Sequence, residues 1–252
     1  MSLIGKTYAV VSLGMSCQTA RQVAEHKYIF ENRLGEDLVA SSLYFDYVIC
    51  PPQAAADILR SRIWFPRRKS LTLTFRPYWR GRRMFFWHAF RKKKGDYDLD
   101  GAYLNERKKY LYLGAKTEAL RTKKILIVFS NTQNNLSLIS SQTGQEFCEK
   151  ISASQISRLK SEADLFFGQK TEMLVVTRPE LFVRDKFRCG FNVQFVKPDE
   201  TEWQGHSPSW AHAIERFLWS RKPLWSRTVE RLHEIVAHRP PIRCAERRGS
   251  TQ

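Results

Sequence analysis

Lys123-Lys124-Ile125-Leu126-Ile127-Val128-Phe129-Ser130 holds five apolar residues in succession, most of them β-branched or aromatic, and a polar stretch follows it. A run this long with no polar alternation reads as a strand covered on both faces, as in a parallel sheet. Downstream, Gln145 to Phe167 reads as a long helix, Glu172 to Thr177 as a strand around Met173-Leu174-Val175-Val176, and Phe191 to Val196 as a further strand. Upstream, Tyr8 to Leu13 is a short β-prone run that turns into helical spacing. This alternation predicts an α/β domain with a mixed, largely parallel sheet and helices on both faces. Ser207-Pro208 and Pro223 each open an amphipathic helix, through Ser220 and about His238, giving a C-terminal helical pair.

The first half is less decided. Leu43 to Ile49 reads as a short buried strand, and Pro51-Pro52 opens a helix through about Arg62. Leu71 to Phe75 and Met84 to Phe90 read as strands, with the basic turn Arg80-Gly81-Arg82-Arg83 between them. Tyr103 to Leu120 reads as a charged helix with Leu104, Lys108, Leu111 and Ala115 on one face. An antiparallel first half would give an α+β papain-like core, which is the alternative. Residues 1–238 are expected to form one domain, and the basic, proline-bearing stretch 239–252 a mobile tail.

Between the strand at Tyr8 and the helix after it stands Ser12-Leu13-Gly14-Met15-Ser16-Cys17. Gly14 permits the tight turn, and Cys17 falls at or near a helix N-terminus. There the unpaired N–H groups and the positive end of the dipole favour thiolate over thiol, so the sequence predicts a lowered pKa and a candidate nucleophile with an oxyanion site beside it. A thiol hydrolase also needs a base and a group to orient it. His88, within Phe86-Trp87-His88-Ala89-Phe90, is the best base among six histidines. Asp46, in Tyr44-Phe45-Asp46-Tyr47-Val48-Ile49, is the preferred orienting group, because an acid among apolar neighbours is costly without a partner. That partner is His88 in one reading and an arginine such as Arg33 in the other. Asn131, Gln133 and Asn134 follow the central strand, where loops at strand C-termini line a ligand crevice, and are candidate substrate-binding amides.

Those three stretches, in this order, resemble the bacterial putative papain-like cysteine peptidases, a family described as a domain of unknown function. The resemblance runs from about Tyr8 to Trp210 and implies Cys17 and His88 as the catalytic pair. The chain has Ser16 where members usually have Asn, Ala89 where they often have Asp, and Tyr44-Phe45-Asp46-Tyr47 where they have Pro-Phe-Asp-Trp. It implies a thiol-dependent hydrolase or acyltransferase acting on an amide or ester.

The formal net charge is +17, and between Ile58 and Gly95 there are 13 basic residues and no acidic one. Arg67, Arg68, Lys69, Arg80, Arg82, Arg83, Arg91, Lys92, Lys93 and Lys94 alternate there with aromatic residues. Cations that neutralise phosphates beside rings that stack are the composition of a single-stranded nucleic-acid groove or of a membrane-facing hairpin. The second functional expectation is therefore a non-catalytic module binding a polyanion: nucleic acid, anionic lipid or acidic polysaccharide. The five cysteines are scattered without CxxC spacing, which argues against a disulfide framework and a structural zinc, and fits a reducing cytoplasm. His206 and His212 lack a third ligand nearby, so no metal is expected. No GxGxxG or P-loop pattern supports a cofactor. No apolar run is long enough for an integral membrane segment, and the stretch before Cys17 is too short for a lipidation signal.

Overall fold

The computed structural model describes residues 7–35, 38, 42–91, 95–133, 136, 139, 150–185, 190–199 and 205–221. From the N-terminus, β1 (Tyr8–Ser12) turns into α1 (Cys17–Glu25), and α2 (Lys27–Leu34) follows after a break at His26. A 3-10 turn (Tyr44–Tyr47) and α3 (Pro52–Ser61) lead to three short strands, β2 (Leu71–Leu73), β3 (Pro77–Trp79) and β4 (Met84–Phe85). Then come α4 (Tyr103–Glu118), β5 (Lys124–Ser130), β6 (Ile151–Ser152), α5 (Ala153–Phe167), β7 (Glu172–Thr177), β8 (Phe182–Val183), β9 (Asn192–Phe195) and α6 (Ser207–Ser220).

Four strands make one fully parallel sheet in the order β1-β5-β7-β9. Ile127 stands opposite Met173 and Val128 opposite Leu174, so the two apolar runs are neighbours, as the alternation predicts. The fold is α/β, and the antiparallel alternative is confined to the small β2-β3-β4 sheet. Period-two alternation divides the large sheet into two faces. Ala9, Val11, Ile125, Ile127, Phe129, Met173 and Val175 join the main core with α3, α5 and a cluster of aromatic rings. Val10, Leu126, Val128, Leu174 and Val176 are buried on the opposite face, outside that core. α1 packs on β1 and β5. At its far end His26 Nε2 lies 3.0 Å from Ser207 O, which ties it to the start of α6.

Four expectations are corrected by local chemistry. Leu43 to Ile49 is a 3-10 turn rather than a strand. The Asp46 carboxylate accepts the Leu43 N–H at 2.8 Å, and this local bond outcompetes β propensity. Ile49 retains only an isolated antiparallel bridge to Phe85. Met84 to Phe90 is strand only over its first two residues, and Phe90 adopts a left-handed conformation (φ 62°). α4 buries Tyr110, Leu113, Gly114 and Thr117, leaving Leu104 65% exposed, because Gly114 admits the Trp64 ring and Tyr110 enters the aromatic cluster. Finally, α5 starts at Ala153: Ser152 caps it reciprocally with Gln155, while Ile151–Ser152 pair with β8.

Met1–Phe217 clusters as one compact unit and Leu218–Gln252 as a second. The helix expected from Pro223 and the tail 239–252 lie outside the described residues. Among those described, no helix is long and apolar enough to cross a membrane.

Candidate functional site

After β1 the chain stays on the edge of β5. Leu13 N–H donates to Val128 O and Met15 N–H to Ser130 O, each at 3.0 Å, so Cys17 arrives at the carboxyl ends of two parallel strands. A Cβ on Gly14 would lie 1.9 Å from Thr19 Oγ1, so this close turn requires glycine. Ser16 is extended (φ −155°) and Cys17 is the first helical residue.

Burial is the largest influence on the Cys17 thiol and raises its pKa. Its own N–H opposes this by favouring the thiolate; Asp46 raises the pKa further by charge, and the Gln18 N–H lowers it. The net direction is upward, opposite to the sequence expectation, because desolvation outweighs the two N–H groups. At rest the site holds a thiol.

Burial likewise pushes the Asp46 carboxyl up to about 7, against the Leu43 N–H, the Lys116 charge and the Ser42 N–H, which pull it down. Its Oδ2 has Leu43 as partner, while its buried Oδ1 accepts no hydrogen bond. A carboxyl raised in the folded state holds its proton there after the unfolded chain has lost it. Its contribution to stability is therefore complete below the unfolded pKa of about 4 and declines as pH rises toward about 7. Asp46→Asn keeps an acceptor for Leu43 and removes the charge. In urea unfolding the variant should lose roughly 1–4 kcal/mol of pH dependence between those limits. It should also lower the Cys17 pKa, seen as faster iodoacetamide alkylation at pH 7. An unchanged alkylation profile would show that the two groups do not sense each other.

A buried polar network flanks the cysteine. Ser130 Oγ lies 3.0 Å from Thr132 Oγ1, which donates to Gln18 Oε1 at 2.8 Å. Of the predicted substrate amides, Asn131 is 1% exposed and its Nδ2 donates to Leu181 O at 3.4 Å; Gln133 is also buried. Asn131 is thus engaged in holding the strand edge. Asn134 lies outside the described residues. Gln18, Ser130 and Thr132 escape the sequence reading, although polar Gln18 and Gln22 four apart on one face of a half-buried helix are a signal for them.

His88 sits exposed in the turn after β4, not on a strand. Although the residue is exposed, partial desolvation is the first cause that lowers its pKa, followed by the charges of Arg91, Lys109 and Arg76. Backbone strips connect it indirectly to the cysteine: Cys50 N–H donates to Met15 O at 2.9 Å, and Ile49 and Phe85 exchange two bonds of 2.9 Å. Among the described residues no hydrogen bond joins Cys17 to His88. The structure brings Asp46 into the electrostatic reach of Cys17, and His88 among cations.

The basic segment folds with its rings inward. Trp64, Phe65, Tyr78, Trp79, Phe85, Phe86 and Phe90 are all buried, so the stacking surface expected of them is absent; only Phe75 and Trp87 are partly exposed. Leu71 opposite Trp79 and Trp79 opposite Met84 place Arg67, Arg68, Lys69, Arg80, Arg82 and Arg83 at one end of the small sheet, and Arg76 and Arg91 at the other. Arg68 is paired with Asp100 (2.7 Å) and Arg82 with Asp57 (3.2 Å). Lys92, Lys93 and Lys94 lie outside the described residues.

Among the described residues no three His, Cys, Asp or Glu side chains could together hold a metal ion, and Cys17 and Cys50 are free thiols. Comparison of the chain with family models, with curated proteins and with solved structures finds no match.

Proposed function

We propose that this protein is a thiol-dependent hydrolase or acyltransferase acting on an amide or ester, of the papain-like cysteine peptidase type that its motifs resemble. The observation that carries the reading is Cys17 at the start of α1, at the carboxyl edge of a parallel sheet, with two backbone N–H groups favouring its anion and a carboxyl titrating near 7 within electrostatic reach. Cys17 loses its proton to Asp46, directly or through one water, and its sulfur bonds to the acyl carbon. The N–H groups at Cys17 and Gln18 take the developing oxyanion. The C–N or C–O bond then breaks, Asp46 returns the proton to the leaving group, and water or a second acceptor cleaves the thioester. In this reading the base is Asp46. Labelling with an electrophilic acyl probe, mapped by mass spectrometry in wild type and Cys17→Ser, tests it.

A second reading, polyanion binding, is favoured by Arg67, Lys69, Arg80 and Arg83, which have no acidic partner among the described residues and share one end of the small sheet. Contact there would be electrostatic and would need no stacking. Retention of single-stranded RNA or anionic vesicles should fall with salt, with log affinity for RNA losing ~0.7 per phosphate contacted for each tenfold rise in salt. Arg80→Gln/Arg83→Gln should flatten that slope, and a slope unchanged by the pair removes this reading.

A further inference from the structure

At the opposite end of the small sheet the guanidinium of Arg76 lies 4.8 Å over the Trp87 ring and 5.5 Å over that of Tyr97. Its Nη1 donates to Tyr97 Oη, while its buried Nε has no acceptor. Arg91 pairs with Tyr97 through an antiparallel backbone bridge, and its Nη2 reaches the Trp87 carbonyl at 3.5 Å, which brings its guanidinium to the turn that carries the Trp87 ring. Neither is paired with an acid among the described residues. Lys109 is also without one; its ammonium lies 4.9 Å over Tyr47, next to Asp46. The acid nearest in sequence to Lys109, Glu106 one helical turn before it, directs Oε1 to the Phe90 N–H at 3.0 Å.

We infer that Arg76 and Arg91, with His88 beside them and Trp87 and Tyr97 as walls, form an oxyanion site that takes the carboxylate or phosphate group of a small ligand. Two adjacent guanidiniums without a counter-ion repel each other, and the Arg76 Nε is a buried donor left without an acceptor. Burial and then the Arg91 charge depress the Arg76 pKa, which agrees with this arrangement. A single oxyanion offsets that repulsion, because a planar guanidinium edge matches carboxylate and phosphate in two parallel bonds. Stacking on the rings fixes the fork in advance, so little side-chain freedom is lost on binding.

The inference stands apart from the reading of Cys17. It is tested by calorimetric titration of the full chain with inorganic phosphate and, separately, with succinate at low ionic strength. One saturable site is expected for at least one of them, and which of them binds tells phosphate from carboxylate recognition. Arg91→Gln, at an exposed position, should weaken it about tenfold or more. Arg83→Gln, at the other end of the sheet, and Cys17→Ser should leave it unchanged. Absence of acyl-probe labelling at Cys17 in the wild type, with phosphate binding intact, would condemn the enzymatic reading alone. The site is overturned if neither anion saturates by about 10 mM, or if Arg83→Gln weakens binding as much as Arg91→Gln. It is also overturned if only single-stranded RNA binds.

Discussion

Cys17→Ser is expected to abolish labelling by an electrophilic acyl probe and to lower turnover ~10³-fold or more once a substrate is known. The hydroxyl occupies the same place at the start of α1, yet its much higher pKa puts it beyond what two N–H groups and a carboxyl titrating near 7 can activate. The adduct in wild type should map to Cys17. Cys50 is fully buried and its thiol is pushed far up by that burial, so it should react only after unfolding. Two further variants separate the bases. If Asp46 accepts the proton, Asp46→Asn removes the limb near pH 7 from the rate profile with acyl probes, even while it speeds simple alkylation. If His88 accepts it, His88→Ala abolishes probe labelling and Asp46→Asn does not. Equal labelling of wild type and Cys17→Ser would end the thiol mechanism.

What the chain discloses depends on how local the deciding interaction is. Ile125 to Phe129 is legible because five consecutive apolar residues have no other place than a strand covered on both faces, and β5 lies between β1 and β7. The position of Cys17 is legible for the same reason: Gly14 and the change of period are local signals. Its titration is not, because desolvation and the charge of Asp46 come from the tertiary fold and outweigh the helix start. His88 misleads because aromatic neighbours imitate a strand. Their rings are in fact core residues of a turn, which pack inward while the imidazole faces out. Asp46 is legible as an acid in apolar company, but its partner is a backbone N–H three residues away, and no pairing rule for charges finds that.

The largest stability effect should come from Trp64→Ala. The Trp64 ring lies 4.9 Å from Tyr44, 6.4 Å from Phe45 and 5.8 Å from Phe166, centroid to centroid, and its indole N–H donates to Glu118 Oε1 at 3.1 Å. It therefore joins the turn that carries Asp46 to α4 and α5. Truncation to alanine should cost ~3–5 kcal/mol, transfer and cavity terms together, and the lost ring pairs place it toward the upper end. That is a large share of the ~5–15 kcal/mol typical of a whole domain. Gly114 is the other half of the contact, since a Cβ there would lie 2.3 Å from Trp64 Cγ. Gly114→Ala should therefore cost ~1–3 kcal/mol by overpacking, despite the better helix propensity of alanine. The constraint on Gly114 is the Trp64 ring itself, so Trp64→Ala/Gly114→Ala should be less destabilised than the sum of the two by ~1 kcal/mol or more. Urea unfolding of the four proteins measures this coupling, and strict additivity would show that the ring does not set the approach of α4. Because Tyr44 stands two residues before Asp46, Trp64→Ala should also loosen the 3-10 turn, hydrate the carboxyl and bring its pKa down from about 7 toward the ordinary range.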